Sequence, residues 1–152
     1  MDAGKLAGLQ PASVFGYFEK LCSIPHGSGN TKAISDYLVS FAKERGIPYI
    51  QDDLNNVILF SEGTCGYEDH PPVIIQGHMD MVCEKDEDCS IDMETEGLDI
   101  THDGEYVFAQ GTTLGGDNGI AVAYGLALLA DKTIPHPPIE MVVTVDEETG
   151  MF

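Results

Sequence analysis

Three short apolar runs constrain this chain most: "NVILF" (56–60), "VIIQ" (73–76) and "IEMVVTV" (139–145). The first two are rich in β-branched residues and bounded by Asn, Gly and Pro, and the third follows the breaker "PHPP". All three read as strands, with the continuous apolar character of strands buried on both faces. Between the second and the third lies "GIAVAYGLALLAD" (119–131), rich in Ala and Leu and long enough for a buried helix despite Gly125. Two amphipathic helices precede the strands. Val14, Phe15, Phe18 and Leu21 recur at helical spacing up to Ser23 and Pro25; Ile34, Tyr37, Leu38, Phe41 and Ala42 mark a second helix running to about Arg45 and stopped by Gly46. "HGSGN" (26–30) is the turn between them, and "EYVFAQ" (105–110) is a further strand candidate. Residues 61–72 form a turn-rich connection, and residues 83–104, acidic and poor in apolar side chains, form an exposed excursion. Helices alternating with apolar strands imply an α/β layer fold with a mostly parallel sheet. The length, 152 residues, suits one domain or part of one. The close at "DEETGMF", directly after a strand with no covering helix, reads as part of a longer protein.

Charge narrows the partners. Seven Lys and Arg against 26 Asp and Glu leave a net charge of −19, which repels nucleic acid and anionic membrane surfaces and suits a solvated acidic surface that can also gather cations. No apolar run reaches the roughly 18 residues of a membrane span. The opening "MDAGKLAGLQ" lacks the pattern of a secretory signal, so a cytoplasmic location is expected. Cys22, Cys65, Cys83 and Cys89 form no C-x-x-C pair and are expected as reduced thiols.

Ligand sites in open α/β sheets form at the carboxyl ends of strands, and polar clusters sit there twice. His78 and Asp80 follow "VIIQG"; Asp146, Glu147 and Glu148 follow "MVVTV". A third cluster, "GGDNG" (115–119), opens the apolar helix, where glycines clear the approach to Asp117 and Asn118. Each has a plainer reading: Asp117 as a helix N-cap, Asn118-Gly119 as a turn, His78 as a structural histidine, the glutamates as a solvated face. Their coincidence at one edge favours a site, and imidazole with carboxylates suits Zn²⁺ or a similar divalent ion. In an extended "HMD", residues two apart point the same way, so Asp80 can accept a hydrogen bond from the His78 nitrogen that faces away from metal. In "DEE" neighbouring side chains diverge, which separates a metal ligand from a general base. Two rivals fail. An EF-hand counted from Asp86 has Ile91 where Gly is needed and Gly97 where Glu is needed. Gly111 and Gly116 have P-loop spacing, but Asp117 stands where that loop requires Lys.

"GHMDMV", "TTLGGDNGIA" and "DEETG", in this order, resemble the metal-binding motifs of the co-catalytic zinc aminopeptidase and carboxypeptidase superfamily. "FEKLCSIPHGSGNT" and "MVCEK" resemble its aminoacyl-histidine dipeptidase branch, also called cytosol non-specific dipeptidase or peptidase D. The resemblance covers nearly the whole chain. It implies an α/β/α sandwich with a mixed, mostly parallel sheet, residues 1–152 being the N-terminal part of the catalytic domain. It further implies that His78 binds one metal, Asp117 bridges two, Glu148 binds the second, Asp80 orients His78 and Glu147 is the general base. Two Zn²⁺ ions, replaceable by Co²⁺ or Mn²⁺, would activate the water that cleaves a dipeptide, aminoacyl-histidine dipeptides included. A cis bond between Asp117 and Asn118, and a homodimer for the complete enzyme, belong to the same implication. The family takes one further ligand per metal, an aspartate and a histidine, from later in the polypeptide, and its lid domain is separate. The alternative is a catalytically inactive fragment acting as a metal-binding or regulatory module.

Overall fold

The computed structural model describes residues 4–64 and 66–150. Three residues of the opening decapeptide and Cys65, one of the expected thiols, lie outside the described residues. Cys22, Cys83 and Cys89 are free thiols.

Helix α1 (Ala12–Cys22) and helix α2 (Lys32–Arg45) form where the apolar spacing places them, and Gly46 closes α2 in the left-handed conformation (φ 66°). Strand β1 (Tyr49–Gln51) then turns back into β2 (Val57–Ser61). The turn is built by Asp52, whose carboxylate accepts from the backbone N–H groups of Leu54 and Asn56. Strand β3 (Val73–His78) leads through the excursion, which carries a ribbon of β4 (Ile100–His102) and β5 (Val107–Ala109), into helix α3 (Gly116–Ala130). Strand β6 (Ile139–Thr144) and a 3₁₀ turn (Glu147–Thr149) complete the described chain.

The sheet is mixed, in the order β1-β2-β6-β3. Only β3 and β6 pair in parallel; β1–β2 and β2–β6 are antiparallel, which corrects the expected mostly parallel balance. The five-residue turn between β1 and β2 forces them antiparallel, whereas β3 and β6 are joined by a crossover through α3 long enough to bring β6 back in the same direction. Across the sheet, Leu59, Met141 and Ile75 share one row and Val57, Val143 and Gly77 the next. This face packs against the helices in one core that includes Phe18, Leu38 and Leu126. Helix α3 lies close to it because Gly77 has no side chain: a Cβ there would come within 2.5 Å of Asn118 Oδ1. Fully burying a side chain such as Leu126 contributes roughly 1.5–3 kcal/mol.

The other face carries the rows Ile50–Ile58–Val142–Gln76 and Phe60–Glu140–Ile74, with Ile50 53% and Ile74 63% exposed. The strands are therefore buried on one face, not both, and among the described residues the α/β/α arrangement is represented by two of its layers. The excursion is better anchored than its composition implies: Met93 and Ile100 are buried, and the Leu98 N–H donates to the Cys22 carbonyl.

Candidate metal centre

Because β3 and β6 run in parallel, with His78 opposite Thr144, both chains leave the sheet at the same edge. Helix α3 runs back beneath them, so its first turn arrives at that edge too. His78 ends β3 and is 6% exposed. Its Nδ1 faces the Asp80 carbonyl at 3.0 Å and Asp80 Oδ1 at 3.3 Å; its Nε2 faces Asp117 Oδ1 at 3.1 Å and Glu147 Oε2 at 3.7 Å. With Nδ1 turned to Asp80, a proton held there would leave Nε2 as the nitrogen that can offer a lone pair to a cation.

Asp80, 1% exposed, is the hub of the site. Its Oδ1 accepts the Glu147 N–H (3.1 Å), and its Oδ2 accepts the Ser28 hydroxyl (2.8 Å) and the Glu148 N–H (3.3 Å). Burial pushes the Asp80 pKa up, but these hydrogen bonds outweigh it and hold the carboxyl below its ordinary range. For His78, burial disfavours charge, while the hydrogen bond to Asp117, the Asp80 carbonyl and the charges of Asp80 and Glu147 prevail and raise its pKa.

Asp117 makes no capping bond at the start of α3; its carboxylate is exposed and turned to His78. The peptide between Asp117 and Asn118 is cis, and both residues depart from helical φ/ψ. After β6, Asp146 adopts a left-handed conformation (φ 55°), and the 3₁₀ turn that follows carries Glu147 and Glu148. One ligand atom each from His78, Asp117 and Glu148 lies within 4.8 Å of the others, and this is the one such grouping among the described residues. A cleft of about 700 Å³ opens beside it, lined by Ser28, Asn30, Met81, Cys83, Met93 and Glu148.

No family model matches the chain. It is 41% identical over 147 residues to the cytosol non-specific dipeptidase of Escherichia coli (strain K12), a match covering 97% of this chain and 30% of that protein. Its fold superposes on the crystal structure of aminoacylhistidine dipeptidase from Vibrio alginolyticus with a TM-score of 0.93, 44% identity, and coverage of 96% of this chain and 30% of the other. These two likenesses support reading the chain as an N-terminal fragment of the aminoacyl-histidine dipeptidase branch. It matches the N-terminal part of that branch and spans about 30% of the length of both relatives. A tripeptidase from Staphylococcus aureus shares the fold more distantly, with a TM-score of 0.72 and 23% identity.

Within this family frame, two parts of the site escaped the sequence reading. Ser28 and Gly29 sit in a segment read as a turn and as part of the branch motif, with no role given to either residue, yet the Ser28 hydroxyl holds Asp80 and the Gly29 N–H donates to Asp146 Oδ1 at 2.7 Å. Asp146, noted merely as part of an acidic cluster, thereby ties the 3₁₀ turn to the 26–30 loop.

Proposed function

We propose that this polypeptide contributes to the hydrolysis of dipeptides, aminoacyl-histidine dipeptides among them, at a two-zinc centre. The observation that carries this reading is the convergence of His78 Nε2, Asp117 and Glu148 at the carboxyl edge, with Asp80 behind the imidazole. One nitrogen and two carboxylates within 4.8 Å fit a divalent ion with metal–ligand bonds of about 2.0–2.2 Å. They would also repel one another without a cation. On this reading His78 would hold one metal, Glu148 the second, and Asp117 would be shared between them. When bound, the two cations polarise the scissile carbonyl and acidify a water molecule.

The chain's own residues supply the rest. Glu147, half-exposed and 3.7 Å from His78 Nε2, takes the proton from the attacking water and passes it to the leaving amine. Its backbone N–H is fixed on Asp80, so base and ligand are oriented by the same carboxylate. Residues 1–152 form the N-terminal part of the catalytic domain; the remaining metal ligands and the lid domain lie in the part of the relatives this chain does not span. The net charge argues against nucleic-acid partners, and no helix among the described residues is long and apolar enough to cross a membrane. The reading includes a cytoplasmic location and a homodimer for the complete enzyme.

The test is calorimetric Zn²⁺ titration of the chain, paired with a dipeptide assay that includes an aminoacyl-histidine. Weak Zn²⁺ binding and slow hydrolysis are expected, because water fills the positions of the missing ligands. Zn²⁺ binding without hydrolysis, in this chain and in a polypeptide of the relatives' full length, would favour the inactive metal-binding module. No Zn²⁺ binding at all would sink the metal reading.

A further inference from the structure

We propose that Ser28 is a positioning residue of this centre: its hydroxyl fixes the Asp80 carboxylate so that His78 and the 147–148 turn are presented together. The inference rests on the metal reading above and goes beyond it, because Ser28 belongs in sequence to the loop between α1 and α2 and to none of the segments that carry a ligand.

The backbone around Ser28 is pinned first. Gly27 and Met81 form a parallel bridge, the Ser28 N–H donates to the Met81 carbonyl at 3.3 Å, and the Met81 N–H donates to the His26 carbonyl at 3.1 Å. The 26–30 loop thus extends the hydrogen bonding of the chain that leaves β3. With its backbone held, Ser28 aims its hydroxyl at Asp80 Oδ2, and at 2.8 Å this is the shortest hydrogen bond the carboxylate accepts.

Asp80 is almost wholly buried, so water cannot replace a lost donor at no cost. Without the hydroxyl, Oδ2 retains only the Glu148 N–H at 3.3 Å. The carboxylate is then free to rotate, and rotation disturbs His78 Nδ1 on one side and the amides of Glu147 and Glu148 on the other. Removing a direct outer partner of a metal-binding histidine typically weakens metal binding by about 10–100-fold. Ser28 acts one bond further out, so a loss of roughly 3–10-fold is expected.

The experiment compares the 152-residue chain with Ser28→Ala, Ser28→Thr and Asp80→Asn, using Zn²⁺ calorimetry and amide hydrogen exchange on the metal-free protein. Ser28→Ala should weaken Zn²⁺ binding about 3–10-fold. It should also speed exchange at the Glu147 and Glu148 amides while leaving the β2–β6 amides unchanged, a local signature that general destabilisation would not produce. Ser28→Thr, which keeps the hydroxyl, should restore both. In the Asp80→Asn background, Ser28→Ala should have little further effect, since the serine acts through that carboxylate. Unchanged exchange at Glu147 and Glu148 in Ser28→Ala, or an undiminished effect in Asp80→Asn, would overturn the proposal. If Ser28→Ala does not fold, Ser28→Gly, between two glycines of the same loop, removes the hydroxyl for the same measurements. Should the parent chain bind no Zn²⁺, the metal reading falls, and the exchange data still decide whether Ser28 holds Asp80.

Discussion

The two ends of the β3–β6 pair carry similar materials and arrange them differently. At the carboxyl end stand a cleft of about 700 Å³, the buried His78 and a set of carboxylates. At the opposite end stand a cleft of about 840 Å³, the buried His136 and acids that include Glu68 and Glu140. There the resemblance ends. His136 Nδ1 meets the carbonyl of its neighbour Pro137 at 2.7 Å, and Arg45 and Lys132 line the same cleft among the acids. His78 is backed by a buried carboxylate, and its free nitrogen looks onto acids alone. A histidine, a cavity and acidic residues do not make a metal centre; the proposed reading rests on a ring held from behind with carboxylates alone in front.

Several substitutions test that contrast. The largest effect belongs to Glu147→Gln, measured as dipeptide turnover in a polypeptide of the relatives' full length carrying this sequence. An amide cannot accept the proton, so turnover should fall by about 10²–10⁴-fold. Zn²⁺ content should stay nearly constant; loss of both metals would show that Glu147 is a ligand and that the roles of the two glutamates are exchanged. Next comes His78→Ala, which should weaken Zn²⁺ binding by about 100-fold or more, at least the loss seen for removing an outer partner. His136→Ala is the paired control and should leave Zn²⁺ affinity within about twofold. Equal losses from the two would erase the distinction between the ends.

The smallest effect is graded with pH. The neighbouring acids raise the His78 pKa, so its protonated form is favoured in the metal-free fold. This contribution to stability is fully present below the unfolded-state pKa and is lost as pH rises through the higher folded value. Zn²⁺ must displace the proton, so apparent affinity should fall about tenfold per pH unit below that folded value. Zn²⁺ affinity independent of pH across this range would remove His78 from the ligand set.

Much of the architecture could be read from periodicity. Val14, Phe18 and Leu21 announced α1, and "VIIQ" and "IEMVVTV" announced β3 and β6. Strand β1 was missed because "YIQ" is three residues long with two exposed side chains, too little pattern to register. β4 was missed because its apolar content is a single buried residue, Ile100, inside an acidic segment. The direction of the pairings depends on how strands are connected, which apolar runs do not encode. Apolarity also fails to say which face is covered: Ile74 reads as core and is 63% exposed. At the site, His78, Asp80, Asp117 and Glu148 stood out because each follows a strand or opens a helix. Ser28 could not, since a serine between two glycines is what any turn contains, and its partner is 52 positions away.

The Gly29–Asp146 hydrogen bond closes a loop of 117 positions. During synthesis, His78 and Asp80 emerge before the 3₁₀ turn whose amides share the Asp80 carboxylate, so that turn cannot join them until β6 has been made. A cation arriving early would meet His78 and scattered acids without the geometry to retain it. On the proposed metal reading, retention of a cation by these residues would follow the docking of β6 and would report whether the span from residue 29 to residue 146 has reached its folded order.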